Sequence, residues 1–171
     1  MFHWLRIRMT ARAAHKALQN HKKRTVNMPS KTRRIGILMD HNSSISQNTL
    51  KAQLDGFGFD TDNVSFLQFS KTNNKTQETD SAVFSAYDFS FTGKPDEKLQ
   101  HFCNQKYDIL INYFTTNNPS LQLLSLKTNT NFRIGFAQAD TRLNDLIFSL
   151  TEQESNLFCQ QMKEYMQRIQ K

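Results

Sequence analysis

The sequence predicts an α/β fold: a single doubly wound, mostly parallel sheet with helices on both faces, preceded by a basic N-terminal helix. Three observations predict it. Solid apolar runs such as Ile35-Gly36-Ile37-Leu38-Met39 and Ile109-Leu110-Ile111 mark strands buried on both faces. Helical patterns separate these runs, as crossovers between parallel strands require. Charge is segregated: residues 1–34 hold ten Lys or Arg and no Asp or Glu, while the other 137 hold twelve against fifteen. The net charge of +7 therefore belongs to the N-terminal segment. The predicted organisation is a basic helical arm and linker over 1–32, then a Rossmann-like or flavodoxin-like α/β domain over 33–171.

The elements follow in order. Residues 2–23 read as a helix with a stripe of Trp4, Ile7, Ala11, Ala14 and Leu18, and a neighbouring face of Arg8, Arg12, Lys16 and Lys23. Pro29 ends any helix, and 25–32 read as a linker. Ile35–Met39 is the first strand. Asp40-His41-Asn42-Ser43-Ser44 is a turn cluster that can also cap the helix predicted over 45–56. Gly56 and Gly58 stop that helix. Val64–Phe69 is a strand and 71–81 a polar loop. Alternating Tyr87, Phe89 and Phe91 predict a third strand, closed by Gly93 and Pro95, with a helix over 95–105. Tyr107–Phe114 is the clearest buried strand. Asn117-Asn118-Pro119 opens a leucine-rich helix, and Phe132–Phe136 is the next strand. Residues 143–148 read either as a short strand or as an apolar segment over the sheet edge. Thr151 and Glu154 make a capping box for a last helix reaching 169, with a stripe of Leu157, Phe158, Met162, Tyr165 and Ile169.

Composition bounds the rest. Fourteen Phe offset a modest apolar fraction, since each buries a large area. Two cysteines, Cys103 and Cys159, are too few and too far apart for a disulfide framework and read as buried thiols of a reducing compartment. No run approaches the roughly 18–20 apolar residues of a membrane span. His3, Arg6 and Arg8 interrupt any secretory apolar core. An acid-free, Arg-rich start also fits an organellar transit peptide, a minor alternative.

The stretches IGILMD, DFSFTGKP, YDILINYF and RIGF, together with the basic start and the last helix, resemble a family of small bacterial α/β proteins with a basic N-terminal segment and no assigned activity. Residues 107–135 (YDILINYF, a leucine-rich helix, NFRIGF) also resemble the first domain of heptosyltransferase-type glycosyltransferases. Both resemblances imply a fold and no catalytic residue.

In an open parallel sheet, ligands bind beyond the carboxyl ends of the strands. Three loops are predicted to meet there: 40–46, 115–120 and 137–142. Their candidate ligand residues are Asp40, His41, Ser43, Ser44, Asp140 and Arg142. A phosphate would sit on the helix start at 43–46; the plainer reading is turn and cap residues. No G-x-G-x-x-G, Walker or G-x-S-x-G pattern occurs, and the His and Cys spacings fit no metal motif. No cofactor, metal or catalytic residue is therefore expected. Thr92-Gly93-Lys94-Pro95 places an ammonium ahead of a helix but reads more simply as a turn. Phe89, Phe91 and Tyr113 would stack bases only if exposed; strand aromatics are more often core.

The arm carries the functional expectation. Its candidate polyanion contacts are Arg6, Arg8, Arg12, Lys16, Lys22, Lys23, Arg24, Lys31, Arg33 and Arg34. The first expectation is a cytoplasmic, non-enzymatic protein that binds RNA or associates with the ribosome. The alternative is a peripheral protein whose arm lies on an anionic membrane, at its inner face. A third is a nucleotide or sugar-phosphate enzyme or binding protein using the α/β body. The plain reading is a basic helix packed on its own body through Trp4, Ile7 and Leu18.

Overall fold

The computed structural model describes residues 3–22, 31–72 and 82–169. Six strands form one sheet: β1 (Ile35–Met39), β2 (Val64–Phe69), β3 (Val83–Phe84), β4 (Tyr107–Tyr113), β5 (Thr130–Phe136) and β6 (Leu146–Phe148). Their order is β3-β2-β1-β4-β5-β6, and every neighbouring pair is parallel. This is the strand order of doubly wound, Rossmann-type sheets. Ile37 of β1 lies in register between Phe66 of β2 and Ile111 of β4. The chain winds outward from β1 through β2 in one direction and from β4 through β5 in the other, so the switch point lies between β1 and β4.

Five helices cover the sheet: α1 (His3–Asn20), α2 (Gln47–Gly56), α3 (Glu97–Asn104), α4 (Pro119–Lys127) and α5 (Ser155–Ile169). The period-2 alternation of the strands sorts the core into two halves. Leu38, Leu67 and Leu110 pack with Ala14 and Leu18 of α1, Leu99 of α3 and Leu121 of α4. Ile37, Ile111 and Ile134 pack with Leu50 of α2 and Phe158 and Met162 of α5. Helices α2 and α4 lie on opposite faces and serve crossovers running in opposite directions, so both crossovers have the same hand, as strand twist demands.

Local chemistry starts the helices where polar turn residues stand. Ser46, Asp96 and Asn118 cap α2, α3 and α4, each accepting a backbone N–H of the first turn. Gly58, at φ +82, ends α2 in the left-handed region that glycine tolerates.

Helix α1 is docked on the α/β body, beside α4. Thr10, Ala14 and Leu18 are buried, and Ala13 and Ala17 pack against the same core half. The docked side is thus centred on the alanines, and Trp4 and Ile7 of the predicted stripe stay exposed, Trp4 by 61%. Small residues let two backbones approach closely. Gly93 shows how closely: a Cβ there would stand 2.6 Å from the Ala13 Cβ. Arg6 fastens the other side, donating to the carbonyls of Tyr87 (3.0 Å) and Phe89 (3.4 Å) while its guanidinium lies 4.9 Å from the Phe91 ring centre.

Several sequence expectations are corrected. The third strand is Val83–Phe84, and residues 86–88 form a 3-10 turn instead of strand. A local capping box made by Ser85 and Asp88 outcompetes the alternating aromatics. Pro95 pairs with Phe89 in an isolated bridge, and α3 starts two residues later, behind Asp96. Residues 143–148 resolve into a short turn and strand β6. The Thr151 hydroxyl and N–H both donate to the Glu154 carboxylate, and α5 begins only at Ser155. Its buried stripe is Phe158, Cys159, Met162 and Met166; Leu157 and Ile169 are exposed. Cys103 and Cys159 are free and buried. Burial pushes the Cys159 thiol up to about 12 and raises that of Cys103.

Candidate functional site

Two surfaces stand out, and α1 belongs to both. Its outer face carries Trp4, Arg8, Arg12 and Lys16, spaced four residues apart and therefore stacked in one row along the helix. All four are exposed. The helix holds no acidic residue, and among the described residues no carboxylate pairs with Arg8, Arg12 or Lys16. Lys22 is also exposed beyond the end of α1. Lys31, Arg33 and Arg34 are exposed at the entry to β1, where the Arg33 and Arg34 backbone N–H groups bond to the Asp108 carboxylate. Arg6 differs from the rest of the set: its guanidinium is already engaged by Tyr87, Phe89 and Phe91. Lys23 and Arg24 lie outside the described residues, as does most of the 71–81 loop.

The second surface is a cavity of about 480 Å³ at the carboxyl ends of β1, β2 and β4, at the switch point. Its walls come from the loop after β1 (Asp40, His41, Asn42), the end of β2 (Phe69, Lys71) and the loop into α4 (Thr116 to Ser120). His3, Ile7 and Thr10 of α1 close one side. Two of the three predicted loops therefore meet. Asp40 joins them: one oxygen accepts the His41 backbone N–H (2.7 Å) and ring Nδ1–H (2.8 Å), the other the Thr116 hydroxyl (2.7 Å). A carboxylate facing Nδ1 fixes the imidazole tautomer and leaves Nε2 for a ligand. The ring packs edge-on to Phe69.

Asp40, at 5% exposure, is costly to bury, and three donors offset that cost. Thr10 is less well served. It is 1% exposed, and its hydroxyl has no partner.

The third predicted loop stays apart. Asp140 and Arg142 are not cavity residues; they form a local bidentate pair, with Nη2 to Oδ2 at 2.7 Å. Those hydrogen bonds and the guanidinium charge hold the Asp140 carboxyl below its ordinary range. Ser43 and Ser44 follow the Asp40 turn outside the cavity lining. Phe89 and Tyr113 are core. Among the described residues no group of three or more His, Cys, Asp or Glu is placed to hold a metal, and no helix is long and apolar enough to cross a membrane.

A turn cluster after a solid apolar run places Asp40 and His41 among the sequence's candidates, and both line the cavity. That pattern does not mark His3, Thr10, Phe69, Lys71 and Thr116 as site residues. Thr10 is legible only once α1 is known to pack on the body, and Lys71 only once β2 is placed beside β1.

No curated protein and no solved structure matches the chain. Residues 6–169 match DUF6913, a family of unknown function, so α1 from Arg6 onward, the sheet and α5 lie within the matched region and the chain belongs to that family.

Proposed function

We propose that this chain is a non-enzymatic protein that binds RNA or associates with the ribosome, laying the outer face of α1 along a phosphate backbone. One observation carries the reading: the exposed row Trp4, Arg8, Arg12, Lys16 on an acid-free helix packed against the body. Cations left without acidic neighbours repel each other, and a polyanion relieves that repulsion. With a rise of about 1.5 Å per residue, Arg8 to Lys16 span about 12 Å. Trp4 continues the row with a ring on which an unpaired base can stack. Docking makes the row pre-organised, which lowers the entropy lost on binding. A bacterial cytoplasm, the setting implied by the family resemblance, fits this reading. The likeness of residues 107–135 to heptosyltransferase domains bears on the fold of the body alone.

The exposure of Trp4 and Ile7 favours a second reading, in which α1 meets an anionic membrane. Only these two large apolar side chains of α1 are exposed among the described residues, which is little area for insertion.

The test is the salt dependence of single-stranded RNA binding by the wild type and an R8Q/R12Q/K16Q variant. The expected result is a log–log slope shallower by about 2 in the variant, since each lost phosphate contact removes about 0.7. Equal slopes refute the proposal. A blue shift of Trp4 fluorescence with anionic vesicles, and none with RNA, selects the membrane reading.

A further inference from the structure

We infer that the cavity at the switch point is a binding site for a small phosphomonoester with a planar or apolar body, bound between the sheet and α1. Its volume of about 480 Å³ suits a ligand of nucleotide or sugar-phosphate size. Ile7, Phe69, Ala86 and Pro119 give it an apolar lining for the body of such a ligand. The charge at the cavity favours an anion. Lys71 supplies an ammonium, and Asp40, the only carboxylate lining the cavity among the described residues, is saturated by His41 and Thr116. Among the described residues, the backbone N–H groups of Asn42, Thr116 and Asn117 have no protein acceptor. The α4 N-terminus, at Pro119 and Ser120, adds its positive dipole end; its own N–H groups are taken by Asn118. Lys71, these N–H groups and the helix end together offer an anion several donors.

Thr10 is the independent sign of a ligand. Its hydroxyl is buried and unpartnered, and Thr10 lines the cavity. An orphaned buried hydroxyl calls for an explanation, and a ligand at this wall supplies one. His41 adds a group from the loop after β1: with Nδ1–H given to Asp40, its Nε2 remains for a ligand hydroxyl or phosphate oxygen. A ligand held by Thr10 and His41 together bridges α1 to the sheet and so tightens the docking of α1.

The test is thermal shift and calorimetry on the full chain with AMP, GMP, CMP, UMP, ribose 5-phosphate and glucose 1-phosphate, against adenosine and inorganic phosphate as controls. At least one phosphomonoester is expected to raise Tm in proportion to the logarithm of its concentration. The matching unphosphorylated body and inorganic phosphate should each bind at least tenfold more weakly. Thr10→Val and Lys71→Gln should weaken binding at least fivefold while the unliganded protein stays folded; Lys71 is at the surface, so its substitution is safe for folding. The R8Q/R12Q/K16Q variant should bind as the wild type does. The inference is overturned by no shift with any of the six at about 5 mM, by equal binding in Thr10→Val and Lys71→Gln, by adenosine binding as tightly as AMP, or by loss of binding in the triple variant. The last outcome would move the anion to the outer face of α1.

Discussion

Replacing Gly93 by alanine tests whether α1 is part of the folded body. Gly93 has φ +78, a conformation that costs an alanine about 1–2 kcal/mol. Its new methyl would also stand 2.6 Å from the Ala13 Cβ, where carbons prefer about 3.5–4.0 Å. Helix α1 must then retreat by about 1 Å, or the turn must shift, at an additional cost of about 1–2 kcal/mol. The total of about 2–4 kcal/mol lowers Tm by roughly 5–15 °C in a chain of this size. The φ penalty acts whether or not α1 is docked, so the decisive assay is a double-mutant cycle by chemical denaturation. Ala13→Gly alone costs about 1 kcal/mol through helix propensity. Combined with Gly93→Ala it removes the clash, so the pair should be more stable than additivity predicts by at least about 1 kcal/mol. Additivity to within about 0.5 kcal/mol would show that residues 13 and 93 do not touch, and the docking of α1 would fall with it.

Four further outcomes are expected. Arg6→Gln should cost about 1–2 kcal/mol, because two carbonyls and the Phe91 ring lose the guanidinium, yet leave the salt slope of RNA binding unchanged; urea titration and the binding assay check the two halves. Arg133→Met should cost about 2–4 kcal/mol by the same titration, since the buried guanidinium (3% exposed) donates to the carbonyls of Ser125 and Thr128 at the end of α4. Thr10→Val should leave unliganded stability unchanged or raise it by up to about 1 kcal/mol, and a loss above about 1.5 kcal/mol would mean the hydroxyl has a protein partner. Cys159 should resist iodoacetamide until the protein unfolds. Its thiol is raised in the folded state, so the stability it contributes is full below its unfolded value of 9.0 and is lost as pH rises from there towards about 12.

The sheet was legible because parallel strands buried on both faces are solid apolar runs, and residues 35–39 and 109–111 carry that mark unambiguously. Residues 86–88 were not, because two polar side chains, Ser85 and Asp88, decide the backbone there against the pattern of the aromatics. The orientation of α1 was hidden for a different reason. Trp4 and Ile7 outweigh Ala13, Ala14 and Ala17 in any hydrophobic periodicity, but close approach to Gly93 and α4 favours the small residues. Once the alanine side docks, Trp4 necessarily joins Arg8, Arg12 and Lys16 on the outside. The cavity follows the same logic: the switch-point rule located Asp40 and the loop into α4, while the wall supplied by α1 depended on a tertiary contact.

Docking also changes how the outer face must be probed. Deleting residues 1–30 would strip Ala14 and Leu18 from the core and confound binding with folding. Substituting Arg8, Arg12 and Lys16 by glutamine lowers the net charge from +7 to +4 and leaves every buried contact in place. The most direct measurement is therefore sedimentation of the wild type and the R8Q/R12Q/K16Q variant through a sucrose gradient of cell lysate, at low and at high salt. The wild type is expected to travel with ribosomal particles at low salt and to leave them at high salt, and the variant to stay at the top in both. Identical profiles for the two proteins would contradict the proposal.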